Sequence, residues 1–211
     1  HRELGPLAQA WRLTGAARYA QGCRRMLESW FDACPYPMGP NWTSSLEHGI
    51  RLVNWSVAWQ LLGGDGAPVF DGADGQAFRA RWLRSVREHC HFIRGWLSRH
   101  SSANNHLLGE TMGLFVGALT WPLWPESAAW REDARVLFET GLVRDAARLA
   151  TDDDIERLRV ALEANRESIG DLRRFEQTDV AVHYAIASIP KNPIYTSLHS
   201  AILEWLVDQR H

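Results

Sequence analysis

The segment Asn104-Asn105-His106-Leu107-Leu108-Gly109-Glu110 brings amide, imidazole and carboxylate side chains close together in the chain. His106 and Glu110 are four residues apart, so on a helix they share one face. Asn104 and Asn105 stand at the predicted helix start, where free backbone N–H groups concentrate. An amide can hydrogen-bond a carboxylate and a histidine can move a proton, so the set suits an acidic sugar. A helix N-cap followed by an ordinary surface pair is the alternative interpretation.

A second pair of residues, Asp179 and His183, has the same spacing of four. On one helix face a carboxylate and an imidazole can share a metal ion. The pair therefore predicts either two metal ligands or a solvated pair of side chains.

The apolar pattern predicts helices as the elements that carry these residues. Leu46, Ile50, Val53, Val57 and Leu61 recur at spacings of four and three, which is typical of one helix face. Further helices are predicted over about 76–98 and 105–119, from about 127, after the N-cap Thr151, around 175–189 and after Pro193. Since no convincing period-two strand occurs, the predicted fold class is all-α.

Composition excludes several classes of protein. The chain has 211 residues and a net charge of −2, which gives no electrostatic case for nucleic acid. No apolar run approaches the roughly 18 residues of a membrane span. The three cysteines form neither a disulfide framework nor a CxxC zinc pattern. Ten of the eleven tryptophans lie at or before Trp130, which indicates a chain of two parts.

The first part resembles a known enzyme family over about residues 4–135. Around the Asn-Asn-His segment stand Leu7–Gly15, Asn41–Glu47, Arg51, Asn54-Trp55, Gly113-Leu114-Phe115 and Trp121-Pro122. Together they resemble the helical N-terminal domain of the heparinase II/III family of polysaccharide lyases. This resemblance implies an incomplete α/α toroid whose cleft takes uronic-acid polymers.

The resemblance also implies site residues for β-elimination. Such lyases neutralise the uronate carboxylate, remove the C5 proton and expel the 4-linked oxygen. Asn105 would bind the carboxylate, His106 would assist charge neutralisation or proton abstraction, and Glu110 would support the site. The expected substrate-binding residues are Asn104, Trp42, Arg51 and Trp55, although core packing is the alternative for the tryptophans. The lyase interpretation requires no cofactor.

The sequence departs from the family pattern in one respect. The family has a catalytic Tyr after the Asn-His segment and then a β-rich domain, but no Tyr lies between Tyr36 and Tyr184 here. Sugar binding without lyase turnover is therefore one expectation beside an active enzyme.

The second part resembles a different family over about residues 135–210. The stretch 139–151 leads to Asp154-Ile155, Arg174-Phe175, Asp179, His183 and Asn192-Pro193-Ile194. These residues resemble the FCD effector-binding domain of GntR-type regulators, with details similar to regulators that sense sialic acid or other sugar acids. In that family an Asp-x3-His pair and two later histidines hold a metal, often zinc. Asp179 and His183 match the pair, whereas His199 is not matched to a family ligand.

Three hypotheses follow for a toroid-like fragment over 1–135 and an antiparallel helical-bundle fragment over 136–211. The first is a lyase-type protein that acts on or binds an acidic polysaccharide, in the periplasm or secreted. The second is a cytoplasmic sugar-acid-sensing module with a divalent metal such as zinc. The third is a chimeric helical scaffold without activity. We expect neither a nucleic-acid-binding domain nor a membrane partner, and the oligomeric state stays open.

Overall fold

The computed structural model of the protein describes residues 3–99, 105–197, 199 and 200. These residues form α-helices and short 3-10 turns with no β-strand among them, which confirms the predicted all-α class. The chain divides into two compact units, one ending at Val136 and the other beginning at Leu137. None of the helices in the described ranges is long and apolar enough to cross a bilayer.

The described residues of the first unit form five helices that lie wholly within it. They are α1 (Leu4–Thr14), α2 (Ala17–Ala33), α3 (Ser45–Leu62), α4 (Gly72–Gly95) and α5 (Asn105–Thr120). α1 ends at Gly15, whose φ of 65° lets its N–H donate to the Trp11 carbonyl at 2.8 Å. A sixth helix, α6 (Ser127–Leu149), contains the boundary between the units.

The helix α3 lies at the centre of the first unit, where it packs against α1, α4 and α5. Its approach to α5 is so close that a Cβ on Gly113 would lie 2.2 Å from the Gly49 Cα. A Cβ on Gly49 would lie 2.5 Å from the Gly109 carbonyl oxygen. Glycine is therefore the residue that allows these two backbones to touch.

Aromatic side chains fill the core of this unit. Trp55 and Trp82 have no exposed surface, and Trp59 packs edge-on against Trp82 with ring centroids 5.1 Å apart. Edge-to-face pairs of this kind add to the free energy gained from apolar burial. The tryptophan-rich composition of the first part is thus explained mainly by its core.

The second unit is built from the end of α6, α7 (Asp152–Glu167), α8 (Leu172–Ser188) and a helical segment over 193–197 and 199–200. α7 begins with the predicted N-cap, since the Thr151 hydroxyl accepts from the Asp154 N–H and the Asp154 carboxylate accepts from the Thr151 N–H. The last segment begins in a similar way, because the Asn192 side chain accepts from the Ile194 N–H at 3.1 Å. Pro193 occupies the first helical position, where no N–H is needed.

Tyr195 attaches this last segment to α6. Its hydroxyl donates to the Asp145 carboxylate at 2.7 Å, and its ring lies 5.6 Å from the ring of Phe138. Burial and the Asp145 charge both raise the pKa of Tyr195, which keeps the phenol protonated as the donor. The Asn-Pro-Ile-Tyr motif therefore starts a helix and fixes it to its neighbour.

The contact between α3 and α5 yields a stability prediction. We expect Gly113→Ala to lower the free energy of unfolding by about 3 kcal/mol, because its Cβ meets backbone that cannot move aside cheaply. Gly5→Ala in α1 is the matched control, since nothing lies within 4 Å of its added Cβ. Urea unfolding of both variants measures the difference, and equal effects would contradict the role assigned to the contact.

Candidate functional site

The predicted catalytic segment lies at the start of α5. Asn105 and His106 are the first two residues of this helix, and both are exposed. Asn104 lies outside the described residues. The exposed amide and imidazole are placed to meet a ligand from solvent, whereas Glu110, one turn further on, is only 1% exposed.

Glu110 binds the chain that precedes α5. One carboxylate oxygen accepts from the Ser98 N–H at 2.7 Å and the other accepts from the Ser98 hydroxyl at 2.7 Å. A buried carboxylate with two such bonds holds its partner firmly. We therefore assign Glu110 to positioning the segment that follows α4, while its predicted catalytic role stays a prediction.

Arg51 lies beneath the surface in a cluster of polar and aromatic groups. It is 7% exposed, and its Nε donates to the His89 Nε2 at 3.1 Å. An Nη donates to the Asn41 carbonyl oxygen at 2.7 Å, and the guanidinium lies 5.3 Å from the centre of the Trp30 ring. The cation is thus held by neutral acceptors and an aromatic face.

Two buried histidines complete this cluster. The Nδ1 of His89 donates to the Ser85 carbonyl at 2.6 Å, and burial together with the Arg51 charge holds the pKa of His89 well below its ordinary value. The Nδ1 of His48 lies 2.5 Å from the Ser44 carbonyl oxygen, so it carries the proton. The Nε2 of His48 is buried and has no hydrogen-bond partner in the described part of the chain, and burial lowers the pKa of His48 to about 4.

The tryptophans predicted to bind substrate lie in the core. Trp55 has no exposed surface and Trp42 is 3% exposed. The Trp42 Nε1 donates to the Cys34 carbonyl at 3.1 Å, and its ring lies 4.7 Å from the ring of His48. Both rings pack around the Arg51 cluster, and their contact with a sugar stays a prediction.

The second predicted pair lies on α8. The His183 Nε2 and the Asp179 Oδ1 are 3.8 Å apart, and both side chains are partly exposed. The ring of His199 lies 5.9 Å from that of His183, although His199 belongs to the last helical segment. His199 is 7% exposed, and within residues 3–99, 105–197, 199 and 200 its buried Nδ1 has no hydrogen-bond partner.

This group does not by itself fit a metal ion. Protein zinc sites use at least three protein ligands. Over residues 3–99, 105–197, 199 and 200, no three His, Cys, Asp or Glu side chains are grouped so that they could hold an ion. The metal role of Asp179 and His183 stays a prediction.

Sequence reasoning missed His89, His199 and Ser98. His89 continues the buried stripe of Trp82, Val86 and Ile93, and this spacing is the signal that could have identified it as buried. No local signal identified Ser98 as the partner of Glu110 or His199 as the neighbour of His183. Those contacts join residues from different elements.

The buried imidazole of His48 predicts a pH dependence of stability. Its folded pKa of about 4 lies below the ordinary histidine pKa of about 6.5, so the unfolded chain binds the extra proton between these values and stability falls as pH falls. Between pH 7 and pH 5 the protein should lose about 2 kcal/mol more than His48→Phe, which keeps a ring and removes both nitrogens. Urea unfolding at the two pH values measures this, and equal losses would contradict a neutral buried His48.

Comparison with protein families gives two matches along the chain. The model described as Heparinase II/III N-terminus matches residues 3–143, and the model described as FCD domain matches residues 132–210. The overlap, 132–143, falls within α6. Both resemblances identified in the sequence are therefore confirmed.

The curated relatives are transcription regulators. The chain is 45% identical over 117 residues to the HTH-type transcriptional repressor NanR of Cronobacter sakazakii, covering 56% of this chain and 43% of that protein. It is 40% identical over 104 residues to NanR of Enterobacter sp., and this match covers 49% of this chain and 39% of that protein. For NanR of Escherichia coli K12 the identity is 38% over 117 residues, and this match covers 56% of this chain and 43% of that protein. The chain thus spans less than half the length of these relatives, and no solved structure matches it.

Proposed function

The chain belongs to the heparinase II/III N-terminus family through residues 3–143, and we propose that it binds carboxylated sugars, with residues 132–210 acting as a sugar-acid effector-binding module. The FCD match and the NanR relatives support a module of the GntR type. Such a module would act in the cytoplasm.

The observation that carries this proposal is the buried Nδ1 of His199, which has no hydrogen-bond partner among the residues that the structure describes. A buried polar atom without a partner costs about 1–3 kcal/mol, which a hydrogen bond to a ligand would recover. The ring of His183 lies 5.9 Å from that of His199, and Asp179 lies 3.8 Å from His183, so three polar side chains are neighbours in the second unit.

The surrounding contacts favour a fixed site. The segment that carries His199 is capped by Asn192 and attached to α6 through Tyr195 and Asp145. Burial and the neighbouring His183 lower the pKa of His199, so its imidazole is neutral at neutral pH. One ring nitrogen of a neutral imidazole donates a hydrogen bond and the other accepts one. A carboxylate is the ligand group that accepts most strongly from such donors.

Calorimetric titration with N-acetylneuraminate and glucuronate tests this site. We expect binding of at least one acid, and we expect His183→Gln and His199→Phe each to weaken it roughly tenfold through a lost hydrogen bond. Tyr184→Phe is the matched control, because Tyr184 is 52% exposed on the same helix. Unchanged affinity in both histidine variants would overturn the assignment.

A second candidate function is binding and β-elimination of an acidic glycan by the first unit. The observation that favours it is the exposure of Asn105 and His106 side by side at the start of α5. In this proposal the Asn105 amide donates to the uronate carboxylate, which makes the C5 proton more acidic. His106 accepts that proton, the C4–C5 double bond forms, and the 4-linked oxygen leaves with its electron pair.

Lyase turnover is tested by the ultraviolet absorbance of unsaturated uronate ends. The protein is incubated with heparan sulfate, chondroitin, hyaluronan and alginate, and an active enzyme should give a rise that His106→Ala reduces at least 100-fold. His91→Ala, which removes another exposed histidine, should leave the rate unchanged. The absence of any rise would limit the first unit to binding.

A further inference from the structure

Trp96 differs from most tryptophans of the first unit because its side chain faces solvent. It is 70% exposed, whereas each of Trp42, Trp55, Trp59, Trp82, Trp121 and Trp130 is at most 5% exposed. Placing an indole in water forgoes apolar burial that the other rings obtain. Core packing therefore does not explain this residue.

Three hydrogen bonds hold the backbone of Trp96. Its N–H donates to the carbonyls of Phe92 and Ile93 at 3.0 and 3.2 Å, which closes α4. Its carbonyl oxygen accepts from the hydroxyl of Ser45 at 2.5 Å, and Ser45 is the first residue of α3. These bonds fix the position from which the exposed ring projects, so little backbone freedom is lost when a ligand binds.

The same segment is connected to the start of α5. Ser98, two residues beyond Trp96, carries the two hydrogen bonds to Glu110. Glu110 lies four residues after His106, which is about 6 Å along the helix axis. Trp96 and the exposed pair Asn105 and His106 therefore stand on two segments that Glu110 joins.

We propose that Trp96 is a stacking platform for a pyranose ring of an acidic glycan whose carboxylate reaches Asn105 and His106. One face of a pyranose ring presents polarised C–H groups, and these pack against the electron-rich face of an indole. The inference deepens the second candidate function, since it names a sugar-contacting residue that the sequence pattern did not single out. It needs glycan binding but does not need turnover.

The alternative for Trp96 is an ordinary surface residue. Two features speak against it: the size of the exposed indole and the fixed geometry of its backbone. A surface residue would also leave glycan affinity unchanged when it is truncated, so the two interpretations differ in a measurable way.

The test is calorimetric titration of the whole chain with heparan sulfate, hyaluronan and alginate oligosaccharides. We expect Trp96→Ala to weaken binding roughly tenfold and Trp96→Phe, which keeps an aromatic face, less than about threefold. Leu13→Ala is the matched control, because Leu13 is an apolar side chain that is 85% exposed. Thermal unfolding should be unchanged in all three variants, since none of these side chains is buried.

The outcomes separate the platform from the site on which it rests. If the parent protein binds and His106→Ala weakens binding, but Trp96→Ala does not, the platform is overturned and the glycan site stands. If the parent protein binds none of the oligosaccharides, or binds them equally well with His106→Ala, the glycan site fails and the platform fails with it. Tenfold weakening by Trp96→Ala together with retention by Trp96→Phe supports the proposal.

Discussion

α3 and α5 meet at Gly49, Gly109 and Gly113 with no space for a Cβ between them. The residues of the first candidate site depend on this contact because α3 carries Arg51 and α5 begins with Asn105 and His106. A larger residue at the contact would separate the two helices and move those groups apart. Protein interiors are close-packed, so such a shift cannot be absorbed locally.

Local features of the sequence predicted the helices well because their causes are local. The apolar spacing from Leu46 to Leu61 predicted α3, and the structure places it at Ser45–Leu62. Thr151 predicted the start of α7 through a capping interaction that involves only residues 151–154. The helix predicted over about 76–98 spans Gly72–Gly95 in the structure. Its two ends differ from the prediction because apolar spacing locates the ends of a helix less accurately than its middle.

The candidate sites were predicted less completely because their contacts join distant parts of the chain. Residue types and spacing identified His106 and Glu110 as one helix face, but the burial of Glu110 depends on Ser98, which precedes α5. Arg51 was predicted as a ligand contact, yet it is bound by His89, 38 residues away. A single sequence carries little information about such long-range pairs.

We propose that the polar side chains of both candidate sites recognise a carboxylate. For the second unit, calorimetric titration with N-acetylneuraminate and with its methyl ester isolates this interaction, because the ester keeps the sugar and removes the negative charge. We expect the acid to bind at least roughly tenfold more tightly than the ester. Equal affinity for the two compounds, or binding of neither, would contradict it.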